Sequence, residues 1–143
     1  MVSAANVLDL LPHANPFRFV DEVVFYAPGT ELHAAYDPGR TPGFLRGTPN
    51  FPIVCVIEGL AQATVALVSL ESGPLQPGEV PLLGAAAFQT YRETAWDESL
   101  RYVIRPVRMT AGQGIFHARA TSGGTLIAEG QLVVARRTEG MKA

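Results

Sequence analysis

The stretch Gly43 to Gln62, GFLRGTPNFPIVCVIEGLAQ, decides how this chain is read. Its second half sets one acid, Glu58, near the start of a run otherwise built from Val, Ile, Leu, Ala and Cys. Desolvating an unpaired carboxylate is costly, so an acid in such a run calls for a partner or a function. The spacing predicts a helix from Val54 to Leu70, with Pro52 suited to its first turn and Gly73-Pro74 ending it. Val56, Ile57, Leu60, Ala61, Val65, Leu67 and Val68 make that helix apolar nearly all round. A helix of this kind is buried by other structure and does not lie on a surface. Glu58 and Gln62 are four apart and share one of its faces.

Upstream, Asn6 to Leu11 reads as a short helix stopped by Pro12, and Phe17 to Tyr26 as a strand rich in Val and aromatic residues. Pro28-Gly29 turns the chain into a second strand, Thr30 to Tyr36. Residues 37–52 hold four prolines and three glycines and form a long irregular loop, a kind of segment that is usually functional in a compact domain. Downstream, four strands are expected in meander over 81–92, 100–109, 113–121 and 125–137, with Leu100, Tyr102 and Ile104 facing opposite to Arg101 and Arg105. The tail from about 138 to 143 looks frayed. Two strands, one buried helix and four strands amount to an α+β chain. A single antiparallel six-stranded sheet wrapped around one helix, the hotdog fold, buries such a helix on most sides.

Composition agrees with one domain spanning residues 1–143. Charged residues are only 17% against 48% hydrophobic, so some apolar surface is expected to sit in an interface. A formal net charge of −2 argues against nucleic-acid binding. The lone Cys55 excludes an internal disulfide and a zinc site of several cysteines, and no metal site is expected. The start lacks the basic and apolar regions of a signal peptide. No stretch is expected to reach the roughly 18 apolar residues of a membrane helix. The expectation is a soluble cytoplasmic protein without membrane contact.

Two motifs carry a family resemblance. Leu11-Pro12-His13, Pro16-Phe17 and Val20-Asp21-Glu22-Val23 resemble the N-terminal signature of the hotdog 3-hydroxyacyl-acyl carrier protein dehydratases. Their active-site segment runs Gly-His-Phe-Pro-Gly-x-Pro-x-x-Pro-Gly-Val and then, further on, Glu-Ala-Met-Ala-Gln. Gly43, Gly47, Pro49, Pro52, Val54, Glu58 and Gln62 fall on that pattern without a gap. The departures are as specific: the family's catalytic His falls on Phe44, a Pro on Arg46, and the Gly at the helix start on Ile53. Phe44 cannot take up a proton.

In the resembling enzymes the site lies at a dimer interface, with the His of one subunit facing the Glu of the other. The resemblance therefore implies a heterodimer, or higher assembly, with a His-bearing hotdog dehydratase subunit. It is nearest to a His-lacking dehydratase subunit of aryl-polyene and related type II polyketide clusters. The implied activity is that of a lyase in polyene, polyketide or fatty-acid-type biosynthesis, eliminating water from a 3-hydroxyacyl thioester to give the trans-2-enoyl product. The substrate would ride on the phosphopantetheine of an acyl carrier protein, with no cofactor resident in the chain.

Such an elimination needs a base for the C2 proton, an acid for the C3 hydroxyl, and donors for the thioester oxygen. Glu58 suits the acid, and burial against Val54, Ile57 and Ala61 is expected to raise its pKa. Gln62 would support it by hydrogen bonding. Backbone N–H groups near Ile53 and Val54, helped by the helix dipole, suit the thioester oxygen. His13 is a secondary candidate base whose more ordinary role is to tie down the N-terminal segment. Arg46, Arg92 and Arg105 are candidates for contact with the carrier protein and its phosphate. Two other readings stay open: a non-catalytic hotdog scaffold subunit, and a hotdog acyl thioesterase in which Glu58 activates water or attacks the thioester.

Overall fold

Alternation of inward apolar and outward polar side chains shapes the central strands of the sheet. The computed structural model describes residues 3, 6–11, 17–73, 76–110 and 112–138. Among them lie β1 (Glu22–Ala27), β2 (Glu31–Tyr36), α1 (Ile53–Ser72), β3 (Glu79–Thr90), β4 (Leu100–Met109), β5 (Gln113–Ser122) and β6 (Thr125–Thr138). On β4, Leu100, Tyr102 and Ile104 are buried while Arg101 and Arg105 are exposed. On β5, Phe116, Ala118 and Ala120 point the same way as that buried row. These rows are the floor on which α1 lies, as the period-two pattern predicts.

All five strand pairings are antiparallel, in the order β1-β2-β4-β5-β6-β3. The chain is thus a single hotdog domain, with six strands wrapped around one helix. The expected four-strand meander is corrected: β4, β5 and β6 follow one another, but β3 pairs with β6 at the far edge and β4 pairs with β2. The helix is the reason. Its 20 residues span about 30 Å. It touches β2 through β6, so it carries the chain across the sheet and delivers β3 to the opposite side. The long β3 therefore presents a free edge.

The first strand starts later than expected, at Glu22, and the short N-terminal helix is a 3-10 turn over Val7–Leu10. Residues 17–20 pass over α1 instead of joining the sheet, because side chains of α1 and β4 take their backbone groups. Within the long loop, 3-10 turns form at Pro38–Arg40 and Gly43–Leu45. The loop end is stapled to residues 93–96: Phe51 N donates to Thr94 O at 2.8 Å, Trp96 Nε1 donates to Thr48 O at 2.9 Å, and Asn50 Nδ2 donates to Glu93. Phe19, Tyr36, Phe51 and Trp96 pack ring against ring at 5.5–6.0 Å, edge-on except for the tilted Tyr36–Phe51 pair, beside the start of α1.

Two expectations about α1 change. By length and composition it is apolar enough to cross a membrane, contrary to the sequence reading; its place beneath the sheet identifies it as the core helix. Nor is it covered all round. Val54 is 67% exposed, and Ile57, Glu58 and Ala61 are only partly buried. These residues share one stripe, three and four apart, which the chain's own sheet leaves open.

Candidate active site

Glu58 stands on that open stripe, one turn into α1, at the meeting point of two clefts. On one side a cavity of about 280 Å³ is lined by Phe17, Phe19, Phe51, Val54, Cys55 and Trp96 among others. On the other a groove of about 90 Å³ runs between α1 and the β3 edge, past Ala61, Val65, Leu82, Leu83 and Val134. The carboxyl group is thus bordered by apolar walls. Within this one chain it is partly buried, so the deep burial expected of it is not supplied by its own fold. Cys55 shares the first cavity. Burial pushes its thiol up, and the nearby Glu58 charge acts in the same direction.

Gln62 is fully buried and holds the acid in place. Its Nε2 donates to Glu58 Oε1 at 3.3 Å and to Phe17 O at 2.7 Å, while its Oε1 accepts the Phe19 N–H at 2.7 Å. A backbone N–H only donates and a carbonyl only accepts, so these two partners fix which end of the amide faces Glu58. The helix starts without a side-chain cap, after Pro52. The amides of Ile53 and Val54 belong to the first turn and have no acceptor within the helix. Ile53 lines a neighbouring cleft with Tyr91 and Arg92, and Val54 lines the Glu58 cavity.

The other sequence-derived candidates are scattered. Phe44 sits on the 3-10 turn Gly43–Leu45, 76% exposed, and is not part of the Glu58 cavity wall. Arg46 lies over the Trp96 ring at 4.8 Å, on the rim of that cavity. Arg92 is committed internally, donating to Glu98 at 3.0 Å and to the carbonyls of Glu93 and Ser122. Arg105 points to the outer side of the sheet and pairs with Glu31 at 3.3 Å. The three arginines therefore do not form one patch. His33 and His117 also lie on the outer side, paired with Glu31 and Glu129; His13 lies outside the described residues. Among the described residues no three His, Cys, Asp or Glu side chains gather as a metal site.

The sequence singles out neither Phe19 nor Tyr102 as a site residue, and Phe17 only as part of a motif. The available signal was Gly59, a glycine beside the acid in mid-helix, where Gly costs about 1 kcal/mol relative to Ala and so points to a packing need.

A family model described as ApeP dehydratase, ApeP-like, matches residues 5–143. This chain belongs to the ApeP-like dehydratase family. The 3-hydroxyacyl-[acyl-carrier-protein] dehydratase FabZ of Proteus mirabilis is 30% identical over 139 residues, covering 94% of this chain and 93% of its own. Among solved structures, a chain of the dehydratase heterocomplex ApeI:P from Xenorhabdus doucetiae superposes with a TM-score of 0.77 at 17% identity, covering 92% and 91%. A thioesterase of Haemophilus influenzae follows at 0.72 and 8% identity, covering 99% of this chain and 94% of its own. At such identities the likeness is one of fold, and the hotdog fold is common to dehydratases and thioesterases alike. In the ApeP-like chain, Glu58, Gln62 and Phe44 stand where the resemblance drawn from the sequence places a Glu, a Gln and a His.

Proposed function

We propose that this protein is the acid-bearing subunit of a heteromeric 3-hydroxyacyl-acyl carrier protein dehydratase, working with a hotdog subunit that supplies a His. The observation that carries the reading is the pairing of a kept acid with a missing base. Glu58 is oriented by Gln62 between apolar walls on a helix stripe its own sheet leaves open, and Phe44 holds the position of the family's base. The two described histidines sit on the far side of the sheet.

A partner over this stripe would complete the site. The outer edge of β3 beside it is long and pairs with no other strand among the described residues, with Leu82 and Leu83 exposed. A free edge of this kind accepts a strand from another chain. The same cover would close the Glu58 cavity from solvent. The partner's His takes the C2 proton, Glu58 gives its proton to the departing C3 hydroxyl, and the electron pair of the broken C–H bond forms the C2–C3 double bond. Products are the trans-2-enoyl thioester and water. The amides of Ile53 and Val54 suit the charge that grows on the thioester oxygen. The acyl group arrives on the phosphopantetheine of an acyl carrier protein, and Arg46 on the cavity rim is the best-placed of the candidate arginines to meet it. No resident cofactor is needed for this chemistry.

The test is Glu58→Gln in the complex co-purified with the His-bearing subunit, with water loss from 3-hydroxyacyl-carrier protein followed by mass spectrometry. Loss of dehydration supports the reading. Unchanged dehydration sinks it and leaves a scaffold subunit. Hydrolysis of acyl thioesters by the isolated chain, abolished in Glu58→Gln, would replace it with a thioesterase.

A further inference from the structure

Residues 17–20 cross α1 before the first strand begins, and three of their backbone groups face inward without a strand partner. Gln62 satisfies two of them, the Phe17 carbonyl and the Phe19 N–H. The third, the Phe19 carbonyl, accepts the hydroxyl of Tyr102 at 3.0 Å. Tyr102 belongs to β4 and is fully buried. Its hydroxyl reaches across only because residue 59 is a glycine. A Cβ there would stand 2.3 Å from the Tyr102 hydroxyl and 2.9 Å from the Phe19 carbonyl. Gly59 is needed for space; its backbone is ordinary helix. Burial holds the phenol well above its ordinary value of 10, so Tyr102 is a neutral donor throughout the working range of pH and carries no proton to the site.

The contacts form one chain: Tyr102 to the Phe19 carbonyl, the Phe19 N–H to Gln62, and Gln62 to Glu58. The Phe17 and Phe19 rings, held by the same bonds, are walls of the Glu58 cavity. We infer that Tyr102, admitted by the Gly59 notch, is a positioning residue that sets the orientation of Glu58 and the aromatic wall of its cavity from the sheet side. The inference rests on the dehydratase reading above and adds to it a residue far in sequence from the acid and outside both family motifs.

Tyr102→Phe keeps the ring and removes only the donor. In the intact complex it is expected to lower kcat by about five- to tenfold, the worth of one oriented hydrogen bond, with KM changed less than about twofold. A purely structural role would instead lower the amount of folded complex and leave the kcat of the folded fraction, counted by active-site titration or native mass spectrometry, unchanged. Glu58→Gln is run in parallel. An inactive Glu58→Gln beside an unchanged kcat in Tyr102→Phe overturns the positioning role alone. Unchanged activity in Glu58→Gln overturns the dehydratase reading and the positioning role together. Since Tyr102→Phe retains the core volume, it folds where Tyr102→Ala would leave a cavity.

Discussion

Replacing Gly59 by Ala tests how tightly the acid-bearing helix is fitted to its surroundings. On an exposed helix the change would stabilise by about 1 kcal/mol, because Ala is the better helix former. Here the added methyl group meets the Tyr102 hydroxyl at 2.3 Å, its ring carbon at 2.7 Å and the Phe19 carbonyl at 2.9 Å. None of these can swing clear, since Tyr102 is fully buried and the Phe19 oxygen is backbone. Overpacking of this kind costs about 1–3 kcal/mol. Pushing the hydroxyl off the Phe19 carbonyl strands a buried acceptor at a further cost of about 1–3 kcal/mol. After the helix gain is subtracted, the net loss is about 1–5 kcal/mol. For a chain of 143 residues this lowers Tm by roughly 3–17 °C. Differential scanning calorimetry at matched protein concentration reads it directly. A Gly59→Ala protein as stable as the parent, or more stable, would refute the notch and the hydrogen bond that passes over it.

Two further outcomes are expected. The Glu98 carboxyl is held below its ordinary 4.5 by the Arg92 guanidinium and then by the Ala95 N–H. A depressed folded-state value means the stabilisation is fully present above about pH 4.5 and is lost as pH falls through the lower folded value. Glu98→Gln should therefore flatten the acid limb of a stability-against-pH curve; a curve parallel to the parent's would argue against the Arg92–Glu98 tie that closes the loop over 92–98. The Cys55 thiol, raised by burial and next by the Glu58 charge, should move back toward its ordinary 9.0 in Glu58→Gln. Its reaction with a thiol reagent at pH 8 then quickens, and an unchanged rate would show that the two groups do not share a cavity.

Local pattern carried much of this protein. The single apolar helix, the alternating strands and the run of turns are consequences of short-range periodicity, which is why β4 falls at Leu100–Met109 as expected and α1 differs only by a residue or two at each end. The resemblance carried by Gly43 to Gln62 likewise marks Glu58, Gln62 and Phe44 as the positions to examine. The strand order was not legible, since pairing depends on where a helix spanning the sheet delivers the next strand. The segment 17–20 was misread as strand because Phe17, Phe19 and Val20 have strand-like side chains. What decides against it is a pair of partners, Gln62 and Tyr102, that lie 43 and 83 residues away from Phe19.

By itself, then, the sequence determined the single apolar helix, the strands around it and the motifs that carry the family likeness, because each of these rests on residue type and order along the chain. Tertiary structure alone decided that the acid sits on a stripe its own chain leaves open, that the three candidate arginines face different ways, and that Tyr102 reaches the site through the space left by Gly59. Those facts depend on which surfaces meet when the sheet closes on the helix, and no local pattern encodes that meeting.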